Sequence, residues 1–285
     1  MIVILTALPV EQEAVLEHLV HVREHRHVQG TLFDVGTLSG RPDRQVALGV
    51  TGQGTLAAAT LTERAIAEFS PSAVLFTGIA GGLREKLAIG DVVVGTKVYA
   101  YHGGKSEDEE FLVRPRSWEI SHDLEQLARR IRRTGAWSAG EPRPEVHFEA
   151  IAAGDVVLNS TTSPIANALR RNYNDAVAVE MESAGFALAA HLAGRIGTAT
   201  VRGISDHADG TKSVTDGQGG QVRAARNAAA FAVALAAAVH ETDPPSHTAS
   251  RPPVSRNIAH AGATVGQQNG VNHGAFTMNV TRENR

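Results

Sequence analysis

The chain has 285 residues, of which 42% are hydrophobic, and a formal charge of -3 from 27 Lys and Arg against 30 Asp and Glu. That is enough apolar material for one large α/β domain or two small ones, and the charge gives no general nucleic-acid footprint. Cysteine is absent, which excludes disulfides, thiolate zinc sites and cysteine nucleophiles and fits a reducing, cytoplasmic setting.

The opening MIVILTALPVEQEAV has no basic flank, and Pro9 and Glu11 interrupt its apolar run. It reads as a first strand and not as a signal peptide. Runs rich in Val, Ile and Thr predict strands at 2–6, 32–37, 45–50, 73–77, 91–100, 146–152, 176–179 and 198–204. Helical periodicity predicts helices at 10–19, 55–69, 121–133, 164–171, 183–192 and 221–239. Strand and helix alternate through most of the chain, which argues for a three-layer α/β sandwich around a mixed, mostly parallel sheet. The apolar run 228-AAAFAVALAAAVH is too short to span a membrane and fits a packed C-terminal helix. From residue 241 the composition changes. Residues 241–285 carry Pro244, Pro245, Pro252 and Pro253 and end rich in Gly, Asn, Gln and His. This predicts a Pro-rich linker and a disordered, low-complexity tail outside a 1–240 domain, free to contact a protein partner.

Two segments concentrate carboxylates where apolar, strand-like runs end: 179-VEMESAG and 201-VRGISDHAD. In open α/β sheets ligands bind outside the carboxyl ends of strands, so adjacent strand ends of this kind predict two acids facing one ligand. Such a pair divides the work, one ionised and accepting hydrogen bonds, the other protonated and donating. Glycine-rich turns are expected at 50-VTGQGT and 77-TGIAGG; neither is GxGxxG, and neither carries the Gly-Lys of a phosphate loop. Glu11 and Glu13 follow the first strand, where a carboxylate either orients a water or simply complements the helix dipole. Asn159 follows 154-GDVVL at another strand end, where an Asx-turn is the plain alternative. His102, His147, His191 and His207 form no i,i+4 pair and no metal spacing, so neither a metal nor a cofactor is expected. Arg129, Arg130, Arg132 and Arg133 read as a solvated helix face.

Taken together, 4-ILTALPVEQEAV, 77-TGIAGGLREKLAIGDVVV, 154-GDVVLN, 179-VEMESAG and 201-VRGISDHAD resemble the purine nucleoside phosphorylase/uridine phosphorylase superfamily over about residues 1–240. Within it they look most like the hydrolytic branch, the methylthioadenosine/S-adenosylhomocysteine nucleosidases. The resemblance implies a small-molecule nucleoside substrate, hydrolysis of the N-glycosidic bond of a 5′-substituted adenosine such as methylthioadenosine or S-adenosylhomocysteine, and release of adenine. It also implies a homodimer in which a neighbouring subunit closes the substrate's 5′ side. By the same resemblance Glu13, with Glu11 as the alternative, activates the attacking water. Glu182 holds the ribose 2′- and 3′-hydroxyls above Met181. Asp206, oriented by Ser205, protonates the leaving purine, and Gly81, Leu158 and Ala208 join the substrate site. The chain departs from the family at three places, one of them the segment 103–111, which carries Lys105 and four acids and matches no pattern. Val157 stands where a phenylalanine commonly stacks on the base. Ile79 stands where a serine helps phosphorylases hold phosphate, which favours water as the nucleophile. A phosphorolytic enzyme and a nucleotide-cleaving or nucleotide-sensing effector module of a bacterial conflict system are the alternatives.

Overall fold

Strand β1 (Ile2–Thr6) is buried along its whole length, with Ile2 and Ile4 in one hydrophobic cluster and Val3 and Leu5 in another. The two-residue period of a strand sends alternate side chains to opposite faces, so a strand buried on both needs a helical layer on each. Both layers are present. Helices α1 (Pro9–Leu16), α3 (His122–Thr134) and α7 (Gly220–Ala238) contribute to the Ile2 cluster. Helices α2 (Thr55–Phe69) and α5 (Ser183–Leu192) contribute to the Val3 cluster. The structure is a computed structural model and describes residues 1–138, 143–194 and 196–239. The tail expected over 241–285 lies outside the described residues.

The other strands of the main sheet are β2 (Leu19–Arg26), β3 (Leu32–Leu38), β4 (Arg41–Val50), β5 (Ala73–Gly82), β6 (Val92–Ala100), β9 (Arg116–Glu119), β10 (Val146–Ala153), β11 (Ala176–Glu180) and β12 (Gly197–Asp206). Their order is β11-β10-β6-β12-β5-β1-β4-β3-β2, with β9 on β6. Parallel pairing joins β4, β1, β5 and β12, and separately β6, β10 and β11. β2, β3 and β9 add antiparallel pairs, and β12 meets β6 antiparallel. β11 also pairs antiparallel with β5, so β5, β12, β6, β10 and β11 close into a ring. This is the three-layer α/β architecture with a mixed sheet that the alternation predicted.

The elements depart from the sequence expectation in several places. The helix expected over 10–19 ends at Leu16, and Leu19 already belongs to β2. β2 lies at the sheet edge with most of its residues exposed, so its sequence LVHVREHR lacks strand-like alternation. The glycines of 77-TGIAGG do not form a turn. They continue β5 to Gly82, because β12 and β11 supply ladder partners on both sides. The segment 103–111, which matched no pattern, leads into a small separate hairpin of β7 (Gly104–Ser106) and β8 (Phe111–Val113). Two short helices complete the fold: α4 (Pro164–Asn172), capped by Ser163 Oγ accepting from the Ala166 amide at 3.2 Å, and α6 (Lys212–Gly217), which was not anticipated.

One close approach ties the helical layer to the site. A Cβ added at Gly185 would overlap the carbonyl oxygen of Thr55. Glycine therefore lets α5 lie against the start of α2, which brings Glu182 to the Gly54 amide.

Candidate active site

β11 and β12 run in opposite directions on either side of β5 and converge on one residue. Gly81 is the register partner of both Val179 and Asp206. The two carboxylate motifs therefore meet because β5 continues through its glycines, and not on adjacent strand ends as expected. Around this junction lies an open cleft of about 130 Å³.

Glu11 forms one wall. Its side chain is 2% exposed and reaches from α1 toward β5. Oε2 accepts from the amides of Ala7 at 2.7 Å and Leu8 at 2.9 Å, and Oε1 accepts from the amide of Ile79 at 2.8 Å. The Leu8 contact also serves the helix start, since Glu11 stands at the third helical position behind Pro9. Gly78 makes the approach possible, because a Cβ there would overlap the Glu11 carboxylate and the Arg202 guanidinium. Burial pushes the Glu11 carboxyl above its ordinary value, while Arg202 and the three amides pull it down. Glu13 sits two residues on, exposed, and does not line the cleft. The sequence preference for Glu13 is thus corrected by geometry: about 200° of helical rotation separates the two glutamates, and Glu11 faces inward.

The floor is built on a fully buried cation. Arg202 has no exposed surface, lies over the Phe76 ring at 4.6 Å, and pairs with the carboxylate of Glu180. Glu180 also accepts from the Glu182 and Ser183 amides at 3.0–3.2 Å and from Ser183 Oγ at 3.0 Å. Glu180 is therefore used up as an anchor, and Glu182 is the free member of the Glu-Met-Glu motif. Its Oε1 accepts from the Gly54 amide at 3.1 Å, and its Oε2 lies 3.6 Å from Arg202. Burial first, and then the Glu180 charge, push the Glu182 carboxyl up to about 7. The glycine loop after β4 thus serves the cleft through its Gly54 amide.

Asp206 closes the opposite end. It is 2% exposed. Ser205 Oγ lies 2.8 Å from its Oδ2, and the Ala208 amide donates to Oδ1 at 2.9 Å. Lys212, at the start of α6, donates to Oδ2 at 2.7 Å. The loop between them is held by Asn159, whose Oδ1 accepts from the Gly210 amide at 3.0 Å, and by Asp209, which accepts from the Thr211 amide and hydroxyl.

Of the other expected residues, Gly81, Val157, Leu158, Met181 and Ser205 line the cleft. Val157 is 57% exposed, whereas Leu158 is buried. Ala208 does not line the cleft and acts only through its amide on Asp206. Three further residues carried no assigned role in the sequence: Glu180, Arg202 and Lys212. Arg202 left a signal, since a charged residue inside a buried apolar strand must be paired. Lys212 left none, being on a segment without periodicity. Outside the cleft, Asp91, Glu145 and His147 place one ligand-type atom each within 4.8 Å of one another. Asp91 already accepts from the Ala88 and Glu145 amides and lies 2.9 Å from His147 Nε2, so its role is to tie β6 to β10. No helix among the described residues is long and apolar enough to cross a membrane.

The family model of the Phosphorylase superfamily matches residues 1–237. The chain belongs to this superfamily. It is 28% identical over 236 residues to the ATP nucleosidase Cap17 of Escherichia coli (strain KTE188), covering 74% of this chain and 46% of that protein. The chain thus spans about half the length of that relative. It is 29% identical over 197 residues to the 5'-methylthioadenosine/S-adenosylhomocysteine nucleosidase of Shewanella baltica (strain OS185), covering 66% of this chain and 76% of the relative. Among solved structures, the 5'-methylthioadenosine/S-adenosylhomocysteine nucleosidase from Neisseria meningitidis in complex with methylthio-immucillin-A superposes with a TM-score of 0.70 at 25% identity, over 84% of this chain and 99% of that one. The phosphorylase-like fold and the kinship with nucleosidases implied by the sequence motifs are both borne out.

Proposed function

We propose that this chain is an N-glycosidase that uses water to release the purine base from a nucleoside with no net charge on its 5′ side. The observation that carries the proposal is the seating of Glu11. Its carboxylate takes up the Ala7, Leu8 and Ile79 amides at the edge of the cleft. Those donors are no longer free for an inorganic phosphate, and Ile79 has no hydroxyl to offer one. A carboxyl fixed in place beside the cleft is suited to taking a proton from an attacking water, and burial makes it a stronger base than an ordinary glutamate.

The other acids fit the remaining steps. As the bond between ribose C1′ and purine N9 breaks, positive charge develops on the sugar, and carboxylates fixed nearby stabilise it. Glu182 would hold the ribose hydroxyls, with Met181 beneath the sugar. Asp206, held by Ser205 and the Ala208 amide, would deliver a proton to purine N7. Leu158 and Gly81 would border the base, with Val157 giving it a looser cover than an aromatic ring.

The charge of the cleft argues against an anionic 5′ group. Glu11, Glu180, Glu182 and Asp206 line it, and the one lysine there is already paired with Asp206. A triphosphate in the same space would meet carboxylates. A nucleotide substrate is the second reading, favoured by the longer alignment with an ATP nucleosidase. Chromatography of products from methylthioadenosine, S-adenosylhomocysteine, adenosine, inosine and ATP, with and without phosphate, separates these readings. Adenine from the thioether substrates without phosphate supports the proposal, and cleavage of ATP alone replaces it with the second.

We also propose a homodimer. Leu56 is 82% exposed and Val157 is 57% exposed, and they flank a tie of 2.7 Å from the Thr55 amide to Asp155 beside the cleft. A second copy covering these side chains would complete the cleft's outer wall. Light scattering of the active protein tests this, and a fully active monomer refutes it.

A further inference from the structure

Asp206 has to deliver a proton, yet its surroundings in the free cleft consist of donors. The Ala208 amide donates to Oδ1, Lys212 Nζ donates to Oδ2 at 2.7 Å, and the Ser205 hydroxyl lies 2.8 Å from the same oxygen. Two of these three groups have only protons to offer. Ser205 Oγ also lies 3.3 Å from the Ala80 carbonyl oxygen, so its single proton can turn to Ala80 and leave the hydroxyl as an acceptor for Asp206. Lys212 itself lines the cleft, and its side chain is 27% exposed. The other charged group facing its ammonium is Asp216, at 3.9 Å.

We propose that Lys212 is the proton source for the leaving purine and acts through Asp206. This rests on the N-glycosidase reading above. The ammonium passes a proton from Nζ to Asp206 Oδ2 while Ser205 turns its own proton to Ala80. Asp206 passes a proton on to purine N7. The electron pair of the bond between C1′ and N9 leaves with the purine, which departs as a neutral base. Water bonds to C1′ and gives its proton to Glu11. The neutral Lys212 amine takes a proton from solvent through its exposed face, and Glu11 returns one to solvent, so the cycle closes without net proton change. Lys212 is thereby a positioning and proton-supplying residue behind Asp206, set in place by the loop that Asn159 and Asp209 hold.

The test compares wild type, Lys212→Gln and Lys212→Arg on a purine nucleoside that the wild type cleaves, with kcat and KM measured separately. Both variants are expected to lose about a hundredfold or more in kcat, the usual scale of proton-transfer catalysis. KM is expected to change by less than about threefold, since substrate contacts remain. Arginine keeps the charge and the donors but does not give up its proton, so a loss in Lys212→Arg is the mark of proton supply. Recovery of kcat by arginine overturns the proposal in favour of a fixed charge. An unchanged kcat in Lys212→Gln, or a change confined to KM, overturns it as well. A 4-nitrophenyl riboside adds a second readout, because its phenolate leaves without being protonated. Its hydrolysis is expected to stay level across the three proteins, and an equal loss there means general damage to the site and refutes the proposal. A wild type that releases no purine from any nucleoside defeats the N-glycosidase reading itself, and with it this inference; that result is distinct from any ranking of the variants.

Discussion

The backbone amide of Ile79 donates to Oε1 of Glu11 at 2.8 Å, across the gap between α1 and β5. A carboxylate of the chain itself therefore fills the place where an anionic nucleophile would find a backbone donor. The expected outcome is hydrolysis. Oxygen from labelled water should appear at C1 of the released sugar, and inorganic phosphate should neither speed the reaction nor yield a sugar 1-phosphate. Detection of the 1-phosphate by mass spectrometry would reverse this conclusion.

Glu11→Gln should lower kcat by about a hundredfold or more, as loss of a general base does. Glu13→Gln should leave kcat and KM unchanged, because Glu13 is exposed and outside the cleft. Steady-state base release by the two variants decides between them, and the opposite ranking would restore Glu13 as the base.

Asp206→Asn keeps the shape of the side chain and its contact with the Ala208 amide but removes the acid. It should cost about a hundredfold or more in kcat. Full turnover in this variant would take Asp206 out of the acid role and leave the purine's proton to come from elsewhere.

Glu182 gives a pH-dependent stability. Its carboxyl is raised to about 7 by burial and by Glu180, against an ordinary value of 4.5. The folded chain thus holds a proton over this range that the unfolded chain has released, so folding weakens as pH rises from 4.5 through about 7. Glu182→Gln removes this loss. Its Tm relative to wild type should climb over the same window, by the equivalent of about 1–3 kcal/mol, while its activity falls. A difference in Tm that stays flat with pH would contradict the assignment.

Gly185→Ala should be strongly destabilising although it adds one methyl group, since the Cβ would overlap the Thr55 carbonyl oxygen. Overpacking of this kind costs about 1–3 kcal/mol. Denaturant unfolding measures it, and a wild-type midpoint would show that α2 and α5 are free to separate.

Much of this architecture is written in local pattern. β1 and β11 are short uncharged apolar runs that end at a polar or acidic residue, and α4 announces itself by Ser163 and Pro164. β2 is illegible because an edge strand in water has no reason to alternate. The glycines of β5 look like a turn because the ladder that keeps them extended comes from β11 and β12, far away in sequence. The same division runs through the site. Glu182 and Asp206 stand in recognisable motifs, whereas the choice between Glu11 and Glu13 depends on where α1 begins and which face it turns inward. The contact between Lys212 and Asp206 depends on a loop pinned by Asn159, 51 residues away from the Gly210 amide it holds.

Arg202 is one guanidinium amid several acids: it pairs with Glu180, lies near Glu182 and draws on the charge of Glu11. This arrangement limits how the site can be rebuilt. Removing the arginine would strand negative charge in a dry place, and removing one acid changes the protonation of the others. Anyone retooling this cleft for a different reaction must therefore exchange the arginine together with the acids it holds, because an intermediate that lacks the arginine alone carries unbalanced negative charge.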